Sequence, residues 1–143
     1  MQSTGKKPRV LIAEDNEELA SLMAMRFHNM SFEASFADEG EQALRMIRAS
    51  RAAGFPYDLL VLDAAMPVLD GFSVLRAVRA DDGDKTTPII LYTAYADEPM
   101  ARISAQMYGA ELMAKEKIWT LAECIEKKLA GEDVDCAEIE DAV

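Results

Sequence analysis

Glu14, Asp15, Asp63, Thr93 and Lys115 are the residues of this chain whose types and placement could do chemistry. They stand at the ends of apolar runs, Glu14-Asp15 after Val10-Leu11-Ile12-Ala13, Asp63 after Leu59-Leu60-Val61-Leu62, Thr93 after Ile89-Ile90-Leu91-Tyr92 and Lys115 after Leu112-Met113-Ala114. Taken singly, a carboxylate at a strand end caps a helix or fills a turn, and a Thr or Lys there is an ordinary strand-end residue. Brought together, they do more. Three carboxylates at close range cannot all stay ionised unless one takes a proton or a cation sits among them. Oxygen donors with open water positions suit Mg2+, and Lys115 adds a fixed positive charge. A carboxylate nucleophile beside Mg2+, a lysine and a hydroxyl can accept a phosphoryl group, a reaction catalysed mainly by positioning and charge neutralisation.

The order of elements is what would bring these residues to one place. Arg9 to Ala13 reads as a buried strand, followed by a helix with Leu19, Leu22, Met23 and Phe27 as its stripe. Phe32, Ala34 and Phe36 alternate with polar residues, which suits an edge strand with one wet face. Asp38 with Glu41 makes a capping-box-like start to a second helix carrying Leu44 and Ile47. The run Leu59 to Leu62 reads as a strand buried on both faces, as parallel strands under helices must be. Pro67 bars helix immediately after it, and Asp70 offers an N-cap for a third helix from about Phe72 to Val78. After the strand Ile89 to Tyr92, Pro99 suits the first turn of a fourth helix. Met100, Ile103 and Met107 are its expected core stripe, and Gly109 its stop. Leu112 to Ala114 is a short last strand, and Ile118, Leu121, Ala122, Ile125 and Leu129 form the stripe of a closing helix that stops at Gly131. Five strands alternating with five helices predict an α/β fold, a doubly wound five-stranded parallel sheet of strand order 2-1-3-4-5. Strands one, three, four and five are then neighbours, and their ends meet at the mouth where open α/β sheets place their chemistry.

The 143 residues suit one domain. A net charge of −11 and a pI near 4.5 argue against a nucleic-acid surface and favour a basic partner or a divalent cation. No apolar run approaches the roughly 18 residues of a membrane span, and residues 1–8 form a polar lead without a signal-peptide core. No membrane insertion and a cytoplasmic location are therefore expected. Cys124 and Cys136 match no metal spacing and read as two reduced thiols. Residues 131–143 hold six acids and no base, the pattern of a disordered, solvated tail.

The set Glu14-Asp15-Asn16, Asp63 with Met66-Pro67 and Asp70-Gly71, Thr93-Ala94, Gly109-Ala110 and Lys115 resembles the receiver domain of two-component response regulators. The resemblance covers about residues 9–130 and implies the flavodoxin-like receiver fold. It also implies that Asp63 takes a phosphoryl group from a histidine kinase or histidine phosphotransfer protein, and that Mg2+ is held by Glu14, Asp15, Asp63 and the backbone carbonyl of Ala65. Thr93 and Lys115 would contact the phosphoryl oxygens. With only the acidic tail after it, the chain is expected to be a stand-alone receiver, a monomer or weak dimer, that relays phosphoryl groups or switches a downstream protein. The partner would meet its fourth helix, last strand and closing helix; the chain would be no enzyme beyond self-catalysed phosphorylation and dephosphorylation. Two positions depart from the family pattern: the last strand lacks the usual aromatic switch residue, and Glu116 stands where Pro usually follows the lysine. Met113, Leu112, Tyr92, Tyr95 and Tyr108 are the candidates to fill that role. A degenerate receiver that binds partners constitutively is the alternative. A metal-dependent phosphatase is disfavoured because Ala65 stands where a second acid is needed. Flavin binding is disfavoured because Glu14 and Asp15 would repel its phosphate.

Overall fold

Leu59-Leu60-Val61-Leu62 offers no polar face to water, so it belongs in the middle of a sheet covered on both sides. It lies there in a computed structural model of the chain, which describes residues 6–136 and 139. β3 (Leu59–Asp63) is buried throughout and pairs with β1 (Arg9–Ala13) on one side and β4 (Ile89–Thr93) on the other. β2 (Glu33–Ala37) lies outside β1, and β5 (Glu111–Ala114) outside β4. Every pair is parallel and the order is β2-β1-β3-β4-β5, as the alternation of elements predicts. The crossovers are α1 (Glu17–Phe27), α2 (Gly40–Ala52), α3 (Gly71–Arg76, continued by a π turn to Asp81) and α4 (Pro99–Met107). A 3-10 segment, Lys115–Thr120, leads into α5 (Leu121–Leu129).

Side chains alternate between the two faces of each strand. Val10, Ile12, Val61, Ile90 and Tyr92 pack with Met23 and Phe27 of α1 and Leu121 and Ile125 of α5. Leu11, Leu60, Leu62 and Leu91 pack with Leu44 and Ile47 of α2 and with Val74, Leu75 and Val78. Carried past the strand ends, the same alternation places Glu14, Asp63 and Lys115 on the α1–α5 side. Helix starts follow local chemistry. Asn16 caps α1 by accepting from the Leu19 N–H at 3.0 Å, and Asp70 caps α3 by accepting from Ser73 at 2.8 Å.

Five expectations are corrected. The cap of α2 is Glu39, whose carboxylate accepts from the Glu41 and Gln42 amides, while the Asp38 N–H donates to the Gln42 side chain at 2.7 Å. Gly40 opens this helix because a Cβ there would run into the Leu69 carbonyl. α4 turns an i, i+4 pair of alanines to the protein, burying Ala101 and Ala105 and leaving Met100, Ile103 and Met107 exposed. Small residues allow close approach to the β5 edge, and this outweighs the greater hydrophobicity of the Met and Ile side chains. Leu22 of α1 is likewise half exposed.

The remaining corrections concern the C-terminal segment. Gly131, at φ +80°, reverses the chain after α5, and the Gly131 and Glu132 amides cap the carbonyls of Lys128 and Lys127 at 3.1 and 3.0 Å. The chain returns along α5, so Cys136 comes beside Cys124 with a Cα separation of 5.5 Å and the two are joined in a disulfide. Spacing alone did not reveal this because the reversal, not the twelve-residue separation, sets the distance. Cys136 and Ile139 are buried, Val134 packs against the same core, and the Cys136 N–H donates to Glu111 at 3.0 Å. Val134, Cys136 and Ile139 are thus packed where a solvated tail was expected, while Gly131, Glu132, Asp133 and Asp135 stay exposed. Residues 137, 138 and 140–143, the rest of that expectation, and the first five residues of the lead lie outside the described residues.

Candidate functional site

β1 and β3 are neighbours, and both send an acid out of the C-terminal end of the sheet. Glu14 and Asp63 are each 1% exposed, whereas Asp15, one residue out of phase, reaches solvent. One carboxylate oxygen of each lies within 4.8 Å of the others. Lys115 follows β5 and reaches across β4 to them. Its Nζ donates to Asp63 Oδ2 at 2.9 Å and lies 3.5 Å from Glu14 Oε1. Asp63 Oδ1 accepts from the Ala65 N–H at 3.1 Å. Thr93 ends β4, is buried, and accepts from the Tyr95 N–H through its hydroxyl at 3.1 Å.

The loop after β3 is held by backbone constraints. Leu69 N–H donates to the Pro67 carbonyl at 2.7 Å, closing a γ-turn centred on Val68, whose φ of +68° is unusual for a β-branched residue. Gly71 returns the chain to the strand end through its N–H to the Ala64 carbonyl at 3.0 Å. A Cβ at Gly71 would run into the Asp63 carbonyl oxygen, so glycine is required for this approach. Asp70-Gly71 is therefore a cap and a spacer that together fix where Asp63 sits.

Burial sets the electrostatics. Desolvation pushes the Asp63 carboxyl upward, the nearby Glu14 adds to that, and the Lys115 and Ala65 donors oppose it without cancelling it. For Lys115, burial works against the charge. The hydrogen bond and attraction of Asp63, with Glu14 behind it, outweigh burial and hold the ammonium above its ordinary value. The site carries more negative charge than one lysine balances.

Tyr92 is the residue that sequence reasoning placed in the core without a part in this cluster. Its hydroxyl donates to Glu14 Oε1 at 2.6 Å, and Lys115 Nζ stands 5.4 Å from its ring centre. Strand pairing, which the sequence does not state, brings it there: Tyr92 is register partner to Asp63 in the neighbouring strand and shares its face. Of the other candidates for an aromatic role, Tyr95 is 70% exposed and Tyr108 packs against the opposite core, while Met113 is fully buried opposite Tyr92.

The donor set suits a hard divalent cation. It consists of carboxylate oxygens, and Asp15 and the neighbouring Ala65 are exposed, so water ligands can complete a shell. Among the described residues no helix is long and apolar enough to cross a membrane.

The family model for the response regulator receiver domain matches residues 10–126. Over 105 residues the chain is 33% identical to the transcriptional regulatory protein PrrA of Mycobacterium leprae, covering 73% of this chain and 43% of PrrA, so it spans under half of that relative's length. The receiver domain of the Francisella response regulator 1452 is similar at 26% identity with a TM-score of 0.68, covering 85% of this chain and 98% of that one. The receiver domain of the sensor histidine kinase PA1611 of Pseudomonas aeruginosa PAO1, solved with magnesium in its active-site cleft, is 26% identical with a TM-score of 0.72, covering 88% and 99%. With the predicted sheet order and a family match spanning all five strands, the chain belongs to the response regulator receiver domain family.

Proposed function

We propose that this chain accepts a phosphoryl group on Asp63 and signals through protein contacts. The observation that carries the reading is a buried carboxylate at the sheet mouth, bonded to Lys115 and crowded by two further acids. A carboxylate oxygen of Asp63 attacks the phosphorus of a phosphohistidine on a kinase or phosphotransfer protein. The O–P bond forms as the P–N bond breaks, and the imidazole nitrogen takes back the electron pair and then a proton. The reacting Asp63 must be ionised, and Lys115 is the donor placed to keep it so. Lys115 and the Thr93 hydroxyl are the groups we assign to the phosphoryl oxygens.

Glu14, Asp15, Asp63 and the Ala65 carbonyl are the residues we assign to Mg2+, in keeping with the magnesium in the cleft of the PA1611 receiver. Bound there, the cation would offset the negative charge that accumulates on the transferring group. The output surface we assign includes α4, where Met100, Ile103 and Met107 face solvent. Aspartyl phosphate would act by shifting the population of a partner-binding form.

The test is intact-mass measurement after incubation with Mg2+ and acetyl phosphate, beside Asp63→Asn. One phosphoryl group on the parent and none on the variant is the expected result. No addition to a parent that binds Mg2+ would reject the phosphoacceptor reading in favour of constitutive partner binding.

A further inference from the structure

Glu14 lies on the neighbouring strand's end, and among the described residues its ion pair is with Lys115 at 3.5 Å. Its orientation is set instead by two chain donors. The Asn16 N–H bonds Oε2 at 2.9 Å, and the Tyr92 hydroxyl bonds Oε1 at 2.6 Å. Tyr92 is fully buried, so its hydroxyl bond to Glu14 is shielded from water. Its ring is fixed between strands by Met113 opposite, and its face carries the Lys115 ammonium at 5.4 Å. One side chain thus touches both the acid and the cation that frame Asp63.

We propose that Tyr92 is a positioning residue of the acidic site: its hydroxyl holds the Glu14 carboxylate in the orientation that receives Mg2+, and its ring seats Lys115. The inference rests on the Mg2+ and phosphoacceptor reading above and deepens it. Without the hydroxyl, Glu14 keeps only the Asn16 amide and Lys115. It can then swing toward Lys115, loosening the site and drawing the lysine from Asp63. Groups that orient metal-binding side chains from behind commonly matter as much as this to affinity.

The experiment is Mg2+ titration by calorimetry on the parent, Tyr92→Phe, Glu14→Ala and the double variant, each checked by thermal melting. The Mg2+ dependence of phosphoryl incorporation from acetyl phosphate is followed in parallel. Tyr92→Phe should raise the Mg2+ Kd about tenfold. The half-saturating Mg2+ for incorporation should rise by the same factor, and by more than the rate at saturating Mg2+ falls. On the Glu14→Ala background the same substitution should leave the Mg2+ Kd where it is. Tyr92→Leu, which also removes the ring under Lys115, should lower the saturating rate further than Tyr92→Phe. An unchanged or lower Kd in Tyr92→Phe overturns the assignment, as does an effect that persists without the Glu14 carboxylate. A parent that binds no Mg2+ defeats the underlying reading instead, a result separable from the first two.

Discussion

Replacing Asp63 with asparagine should stabilise the cation-free protein while removing its capacity to take a phosphoryl group. The carboxyl is pushed up to about 7 from an ordinary 3.8, chiefly by burial and then by Glu14 against the help of Lys115. Below about pH 4 it is protonated in both folded and unfolded chains and costs nothing. Between there and about pH 7 the unfolded chain releases the proton first, so the folded state holds more protons and stability falls as pH rises. Above the folded value the penalty is complete. At full strength the shift is worth about 4 kcal/mol. Water entering from the open side of Lys115 screens it to about 2 kcal/mol, or roughly 6 °C in melting temperature for a domain of this size. Asparagine does not titrate and still accepts from the Ala65 N–H. The assay is thermal unfolding by circular dichroism in a chelator across this pH range. The gap between variant and parent should open from about pH 4, reach its full size near pH 7 and stay flat above. Mg2+ should narrow it by stabilising the parent, with its full set of acids, more than the variant. A variant that melts at or below the parent at about pH 8 without cation would refute the reasoning, since the Lys115 pair would then outweigh the burial penalty.

Gly71→Ala should cost about 2 kcal/mol or more and slow phosphoryl incorporation, because the added Cβ must displace the Asp63 carbonyl; melting and intact mass check both. Reducing the Cys124–Cys136 disulfide should lower stability by about 3 kcal/mol, the loop-closure value for a loop of this length, read from melts with and without reductant. Lys115→Met should raise the pH at which Asp63 ionises, since its strongest opposing donor is lost, and the Asp63 carboxyl resonance followed by NMR through a pH titration would show it.

Strand order and the placing of Glu14, Asp15 and Asp63 at neighbouring strand ends were legible because they depend on short-range patterns. Four apolar residues in a row define a strand buried on both faces, and Asp70-Gly71 could be read as cap and turn from local chemistry. Features that depend on distance in space were not legible. The Tyr92 to Glu14 bond joins residues far apart in the chain and follows from register between strands that pair only through β3. The pairing of Cys124 with Cys136 depends on the backbone reversal at Gly131, and the packing of Val134, Cys136 and Ile139 depends on apolar residues hidden in an acidic run. α4 shows the opposite failure. Its hydrophobic stripe is real, but periodicity cannot say which stripe faces the sheet when a row of alanines offers a closer fit.

The way α4 is held has a dynamic consequence. Two alanine methyl groups bury little apolar surface, at ~0.8 kcal/mol per buried carbon group, whereas α5 buries Leu121, Ala122 and Ile125 and is stapled through Cys124. Local opening of α4 should therefore need far less free energy than global unfolding. In native-state hydrogen exchange its amides should give up protection while those of β3 and α5 still report the whole molecule. A helix that detaches this easily can exchange its resting place for one against another protein without first dismantling the sheet that holds Asp63.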